Sequence, residues 1–242
     1  MERLGVRVEV PEFMAEIVAT LSHLARQSPH INQRSGVSVR LSIANFETME
    51  ANAVRRALRL GEPDAVPRIS DLDTLAASTS GKVEIETLVA NATRRALRLG
   101  EADAVPRISD LDALASSTSG KVEIETLDEG RDEQVVDRLI KAAVLTVFKE
   151  RCPMEQLRAV VDAFEEGTIV HAGDDVPAAT YVELLSGMPD LRKQVLTLAG
   201  GESPAAVASA VEFVLEGLHL SKRLNKDAVG TRATYRGRGG SR

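Results

Sequence analysis

A tandem duplication constrains the fold of this chain more than any other feature. Residues 51–88 recur at residues 90–127, displaced by 39 positions, and only four of the 38 aligned pairs differ. Stacked repeat proteins usually contain about three or more units, and those units diverge in sequence. Two nearly identical units therefore indicate an in-frame duplication, which leaves about 203 residues of distinct sequence. The differing pairs are Val54/Thr93, Pro63/Ala102, Thr74/Ala113 and Ala77/Ser116.

The composition favours a soluble, mainly helical protein. Hydrophobic residues make up 43% of the chain, but aromatic residues only 3%, so the core must consist mostly of Leu, Val, Ile and Ala. The single cysteine, Cys152, excludes an internal disulfide and suits a reducing compartment. No segment resembles a signal peptide or approaches the length of an apolar membrane span. We therefore expect a cytoplasmic protein without a membrane partner.

The net charge of −6 is unevenly distributed. Residues 222–242 carry seven cations and one carboxylate, a net charge of +6, so the remaining residues carry −12. An acidic body argues against a nucleic-acid binder. The Gly/Arg-rich end could contact phosphates, but its composition is more typical of a short solvated tail. We predict that order ends near Asn225 and that residues 222–242 form a basic disordered tail.

Apolar periodicity predicts a series of helices. Pro11 should open the first, and Ser38 should cap a second that ends at Gly61. Further helices are predicted over residues 131–151, 154–164, 177–185 and 191–198, and from Pro204 onward. In each copy of the repeat we predict a short helical piece after Ser70 or Ser109. The alternating KVEIETL, residues 82–88 and 121–127, should form one strand per copy.

No complete catalytic or metal site is evident in the sequence. The STSGKV sequences lack the glycine and the hydroxyl residue of a phosphate-binding loop, because Ala76 and Val83 stand there in the first copy. The four histidines have no metal-ligand spacing among themselves or with Cys152. The sequence HAGDD, residues 171–175, places a histidine near two carboxylates in a predicted loop. We interpret it as a polar turn in preference to a metal or acid–base site.

The sequence GVSVRLSIANFE, residues 36–47, resembles a known element of AAA+ proteins. In magnesium-chelatase ATPase subunits and related MoxR-like proteins, a Gly-x-Ser-x-Arg pattern begins the lid helix that carries the second sensor arginine. Gly36, Ser38 and Arg40 match this pattern. The resemblance continues in order through residues 10–29, 90–117 and 211–227. The whole chain is similar to the C-terminal half of an actinobacterial magnesium-chelatase-like AAA+ protein.

The resemblance implies a fold, a sensor residue and partners. It implies a mainly α fold, with a helical lid subdomain beginning in residues 1–50 and a C-terminal helical region over residues 128–221. The duplicated helix–turn–strand segment, residues 51–127, would lie between them. Arg40 would contact the γ-phosphate and couple the nucleotide state to the position of the lid. The complete family uses ATP and Mg²⁺, and works as a homo-oligomeric ring with a von Willebrand A (VWA)-domain protein.

Three functions remain open from the sequence. The preferred one is the lid and C-terminal region of such an ATPase, a remodelling or metal-insertion motor in its complete form. The family's Walker A and B motifs precede the lid, so this chain alone is expected not to hydrolyse ATP or bind it tightly. The alternatives are a non-catalytic helical module that binds an AAA+ or VWA-domain partner, and a defective gene product. Either copy of the repeat could occupy the native position.

Overall fold

A computed structural model describes residues 7–30, 39–73, 75, 132–173, 175–229 and 232–239, without the side chains of residues 39, 40, 132 and 133. The prediction of a mainly helical fold is confirmed for these residues, 67% of which are helical. The predicted strands at 82–88 and 121–127 and the whole second copy of the repeat, residues 90–127, lie outside the described residues. The seven α-helices of the described part are α1 (Glu12–Gln27), α2 (Val39–Leu60), α3 (Asp132–Arg151), α4 (Arg158–Glu165), α5 (Ala178–Ser186), α6 (Pro189–Ala199) and α7 (Pro204–Leu220).

The helix boundaries follow the local signals in the sequence. Pro11 precedes the first residue of α1, and Pro189 and Pro204 occupy the first turns of α6 and α7, where a missing N–H has no cost. Gly61 follows α2 with a φ of 68°, in the left-handed region that glycine tolerates best. Pro153 follows the end of α3 and leads into a 3₁₀ turn, Met154–Leu157, before α4. These predicted helices are confirmed.

The core surrounds α7, which is buried on almost every side. Residues 205–218 of this helix are all buried, and it packs against α3, α5 and α6. Helix α1 packs mainly on α3. Two ring contacts join these three elements: Phe213 stacks on Phe13 with centroids 4.5 Å apart, and meets Phe148 edge-on at 5.9 Å. A helix buried all round is typical of the centre of a helical domain.

Five short strands accompany the helices in the described residues. Strand β1 (Arg7–Val8) pairs in parallel with β2 (Asp64–Ala65), so residues 7 and 8 are fixed to the first copy of the repeat. Strands β3 (Ile169–Gly173), β4 (Leu224–Val229) and β5 (Arg232–Gly237) form an antiparallel sheet in the order β3-β5-β4. A 3₁₀ turn, Ile69–Leu72, follows β2.

The prediction of a disordered tail from residue 222 is wrong for residues 224–229 and 232–239. Strands β4 and β5 form a hairpin in which Tyr235 pairs with Lys226 on one side and with Val170 of β3 on the other. The glycines of this segment permit close packing on α4. A Cβ atom on Gly237 would lie 2.4 Å from the carbonyl oxygen of Phe164. Glu165 also accepts hydrogen bonds of 2.9 and 2.8 Å from the backbone N–H groups of Arg238 and Gly239.

The basic residues of this hairpin have acidic partners inside the molecule. Lys226 pairs with Glu216, Arg232 with Asp175, and Arg236 with Asp227, each at 2.8 Å. Lys226 and Arg232 thus join the basic hairpin to carboxylates of α7 and of the segment after β3, while Arg236 pairs within the hairpin. No described helix combines the length and the low charge that a bilayer crossing requires.

Candidate functional site: a buried ionic network

The most unusual feature of the described structure is an ion pair with no solvent contact. Arg56, near the end of α2, and Asp71, in the 3₁₀ turn, have side chains 0% and 1% exposed. The Nη2 atom of Arg56 lies 2.9 Å from Oδ2 of Asp71, and its Nε donates to Oδ1 at 3.4 Å. Nη2 also donates to the Val66 carbonyl at 2.7 Å. A fork–fork pair of this kind fixes both side chains in one geometry.

Arg68 extends the network from the first copy of the repeat to the C-terminal half. Its side chain is also 0% exposed, and its Nη1 donates to the carbonyl of Val176 at 2.7 Å. Its Nη2 lies 3.1 Å from Oε1 of Glu62, and the same oxygen accepts the N–H of Ala178 at 2.6 Å. The other Glu62 oxygen lies 3.2 Å from Nη1 of Arg56. Glu62 therefore joins both arginines to the start of α5.

Glu212 closes the network from the central helix. Its Oε2 accepts hydrogen bonds from the N–H and the hydroxyl of Ser70, at 3.2 and 3.0 Å. Its Oε1 accepts a 2.6 Å hydrogen bond from the Tyr181 hydroxyl, which in turn accepts the N–H of Gly173. The Arg68 guanidinium lies 5.2 Å from the centre of the Tyr181 ring, within cation–π range.

Burial and charge act in opposite directions on these groups. Burial by itself lowers the pKa of Arg56, but the charges of Asp71, Glu212 and Glu62 outweigh it and the pKa is raised. Burial raises the pKa of Asp71, and the Arg56 guanidinium opposes that shift. Burial, then the charge of Glu212, raises the pKa of Tyr181. Removing one of these partners would leave the other charged and buried, so breaking the network should be costly.

A second, smaller cluster joins α7 to the C-terminal hairpin. Glu216, one helical turn after Glu212, accepts hydrogen bonds from the Tyr235 hydroxyl at 2.6 Å and from the Lys226 ammonium at 2.8 Å. Burial raises the pKa of Tyr235, and the charge of Glu216 adds to the shift. Both glutamates of the most buried helix therefore have partners, one in the repeat segment and one in the hairpin.

The predicted sensor residues lie apart from this network in the sequence. Gly36 and Ser38 fall outside the described residues. Arg40 lies in the first turn of α2, while Arg56 lies in its last turns. The side chain of Arg40 is not among those described, so its predicted contact with a phosphate stays a prediction.

The other titratable candidates occupy ordinary structural positions. His171 lies in β3 and its Nδ1 is 3.1 Å from the Thr234 hydroxyl, so the prediction of a loop at this residue is wrong. Asp175 pairs with Arg232. Burial raises the pKa of Cys152 to about 12, while Gln194 lies within hydrogen-bond distance of its sulfur. Within the described ranges, no three His, Cys, Asp or Glu side chains come together in a way that could hold a metal ion.

A shallow cleft lies between α3 and the end of α7. Its volume is about 330 Å³. Its apolar wall includes Leu145, Phe148 and Leu220, and Lys149 and Arg223 lie beside it. It does not border the ionic network.

Sequence reasoning missed the network, although one signal was present. Glu212 and Glu216 are the two carboxylates in an otherwise apolar helix, four residues apart and so on one face. Charged residues are rarely buried unless they have a partner, so two carboxylates on this helix predict polar or cationic partners elsewhere in the chain.

Comparison with protein-family models, with curated proteins and with solved structures found no match to this chain.

Proposed function

We propose that this chain is the lid and C-terminal helical region of a magnesium-chelatase/MoxR-like AAA+ ATPase, and that it transmits nucleotide state without hydrolysing ATP itself. The proposal begins from the Gly36, Ser38 and Arg40 pattern, which leads directly into α2. Arg40 would contact the γ-phosphate of a nucleotide held by a separate ATPase core. A guanidinium is suited to this contact because it presents several donors to phosphate oxygens.

The observation that carries the proposal is the connection between the two ends of α2. This helix has 22 residues and so spans about 33 Å. Its first turn bears Arg40, and its last turns bear Arg56, which is fully buried against Asp71. Through Glu62 and Ser70 the same network contacts α5 and α7. A displacement of α2 at the Arg40 end would therefore move the C-terminal helices with it.

The residues of this chain fit a sensor better than a complete nucleotide site. The sequence contains no Gly-x-x-x-x-Gly-Lys-Ser/Thr loop. The proposal therefore assigns ATP and Mg²⁺ binding to the core, in a homo-oligomeric ring. The VWA-domain partner, the cytoplasmic location and the absence of a nucleic-acid partner belong to the same proposal.

A reconstitution experiment tests this function. The purified chain is mixed with a MoxR-type ATPase core from which the lid has been removed, and ATP turnover is measured. We expect no turnover from the chain alone and a clear increase from the mixture. Arg40→Ala should abolish most of that increase. Arg55→Ala, at an exposed position on the same helix, should leave it unchanged. Equal stimulation by the Arg40 variant, or rapid hydrolysis by the chain alone, would contradict the proposal.

A second candidate is a non-catalytic module that binds an AAA+ or VWA-domain partner. It is favoured by the β3-β5-β4 sheet, in which β4 lies at an edge and Val229 is 81% exposed. An exposed edge strand can accept a further strand from another protein. Titration calorimetry with a purified VWA domain would test it: binding by the wild-type chain and loss of binding by Val229→Pro support the module, and no binding contradicts it.

A further inference from the structure

One surface of the C-terminal half binds a segment whose sequence occurs twice in this chain. This docking surface consists of the Val176 carbonyl, the Ala178 N–H, and the side chains of Ser209 and Glu212. It receives the first segment, residues 51–73, through Glu62, Pro67, Arg68 and Ser70. These contacts involve charged or polar groups that are largely buried, so they select particular residues and not merely an apolar shape.

Each residue that makes these contacts is repeated 39 positions later. Glu62, Arg68, Ser70 and Asp71 correspond to Glu101, Arg107, Ser109 and Asp110, and Arg56 corresponds to Arg95. The two differences within the segment are mild. Pro63 contributes a backbone carbonyl to Arg7, which Ala102 also possesses, and Val54 is only partly buried. The docking surface therefore meets the same chemical groups in either copy.

We propose that residues 90–112 are an alternative occupant of this docking surface, so that the two copies exchange within one chain. In the exchanged arrangement Arg95 and Asp110 form the buried pair, and Arg107 donates to the Val176 carbonyl. Residues 47–85 then form a 39-residue insertion between residues 39–46 of α2 and the second copy. Loop closure becomes only slowly more costly as a loop lengthens, so an insertion of this length is tolerated.

The chain is long enough for the exchange. Twenty residue steps join Asp112 to Asp132, the first residue of α3, and they reach up to about 66 Å when extended. A domain of about 200 residues has a radius of gyration of about 17 Å. A segment with this reach can therefore join a docked second copy to the start of α3. The resemblance also extends just upstream, since Glu47-Thr48-Met49 corresponds to Glu86-Thr87-Leu88. Met49 is fully buried, and leucine is a similar-sized replacement.

The first copy is favoured for a local reason. It continues directly from residues 39–46 of α2, where Leu41 is buried and Phe46 packs against the core. The second copy is preceded by Ser80 and Ile85 at the corresponding positions, so its helix cannot extend upstream with the same buried leucine and must instead join residues 39–46 across the insertion. The exchanged arrangement is therefore the minor one in the wild-type chain, and it becomes the major one when a substitution weakens the contacts of the first copy.

Paired substitutions test the exchange. Asp71→Ala leaves Arg56 buried without its main partner, and Asp110→Ala makes the same change in the second copy. Urea unfolding should show that Asp110→Ala changes the folding equilibrium constant by less than twofold. Asp71→Ala should lower it but leave a folded protein, because the second copy takes the site. The folding equilibrium constant of the double variant should be at least tenfold lower than that of Asp71→Ala. Equal unfolding curves for these two variants, or an unfolded Asp71→Ala protein, would overturn the proposal.

Hydrogen exchange read by mass spectrometry gives a direct second measurement. Peptides from the two copies differ in mass, because Val54 and Pro63 are replaced by Thr93 and Ala102. In Asp71→Ala, the slowest-exchanging amides should shift from residues 51–73 to residues 90–112. The variant should remain a monomer by size-exclusion chromatography. A concentration-dependent dimer would overturn exchange within one chain, because it would mean that the second copy docks on another molecule.

Discussion

The hydroxyl of Tyr235 donates a 2.6 Å hydrogen bond to the carboxylate of Glu216, and this contact fixes the basic C-terminal hairpin to α7, the most buried helix of the described structure. Both residues are nearly inaccessible, at 3% and 4% exposure. The Lys226 ammonium approaches the same carboxylate at 2.8 Å. The hairpin therefore neutralises a charge that α7 would otherwise leave in the core, and the core in turn orders the hairpin.

Replacing Tyr235 with phenylalanine should destabilise the fold. Tyr235→Phe keeps the ring but removes the hydroxyl, so Glu216 loses one of its two hydrogen-bond donors. The expected loss in the free energy of unfolding is about 1–3 kcal/mol, the usual cost of an unsatisfied buried polar group. Urea unfolding followed by circular dichroism measures it. As a control, Arg236→Gln removes an exposed ion pair with Asp227 and should cost less than about 0.5 kcal/mol. Equal effects of the two substitutions would refute this role for the hydroxyl.

The hairpin also shows where sequence reasoning stops. The helices were predictable because their apolar residues repeat every three or four positions, as with Phe13, Ile17 and Leu21 of α1. The strand Arg232–Gly237 has little local signal, since Tyr235 is its only large apolar residue. Its order comes from pairing with Val170, which is 65 positions away in the chain. Pairings between distant segments leave no periodic trace in either one.

The ionic network was hidden for a related reason. Arg56, Arg68 and Asp71 read locally as solvated charges, which is what such residues usually are. Only the three-dimensional arrangement shows that they contact one another directly or through Glu62, and that the charge of Glu212 acts on Arg56 and Asp71. Comparing the two copies gives no help, because nearly every residue of the segment is identical in both. Identity between the copies therefore does not distinguish the residues of the network from their neighbours. The repeat, in contrast, was visible without any structure.

Removing the carboxylate of Glu212 should be among the most damaging single changes. Glu212→Ala leaves the Tyr181 hydroxyl and the Ser70 N–H without their partner, and it takes a negative charge from beside Arg56. We expect a loss of about 3–5 kcal/mol in the free energy of unfolding. Glu183→Ala, an exposed glutamate on α5, serves as the control and should change stability by less than about 0.5 kcal/mol. A loss below about 1 kcal/mol for Glu212→Ala would contradict the proposed role of the network.

Gly217 permits the close approach of α7 to α3. A Cβ atom at this position would lie 2.0 Å from Cδ2 of Phe148, well inside contact distance. Gly217→Ala should therefore destabilise the protein by about 1–3 kcal/mol through overpacking, although alanine is the better helix former. The urea midpoint measures this loss. In a Phe148→Leu background the same substitution should cost clearly less. An unchanged cost in that background would show that the ring is not the obstacle.

Cys152 should be chemically inert in the folded protein. Its side chain is 1% exposed, and burial raises the pKa of the thiol to about 12. At pH 8 about one molecule in 10⁴ would then carry the reactive thiolate, against roughly a quarter for an unperturbed cysteine. Alkylation by iodoacetamide at pH 8 should be at least a hundredfold slower in buffer than in 6 M guanidinium chloride, in which the chain is unfolded.

The same pKa shift makes the fold sensitive to alkaline pH. The folded protein holds the thiol proton more tightly than the unfolded chain, whose cysteine pKa is about 8.5. This contribution to stability is complete below pH 8.5 and is lost as the pH rises toward 12. Cys152→Ala lacks the titrating group, so the difference in unfolding free energy between the wild type and this variant should shrink above pH 8.5. Rapid alkylation of the folded protein at pH 8, or a constant difference up to pH 10, would show that the thiol is not held protonated by burial.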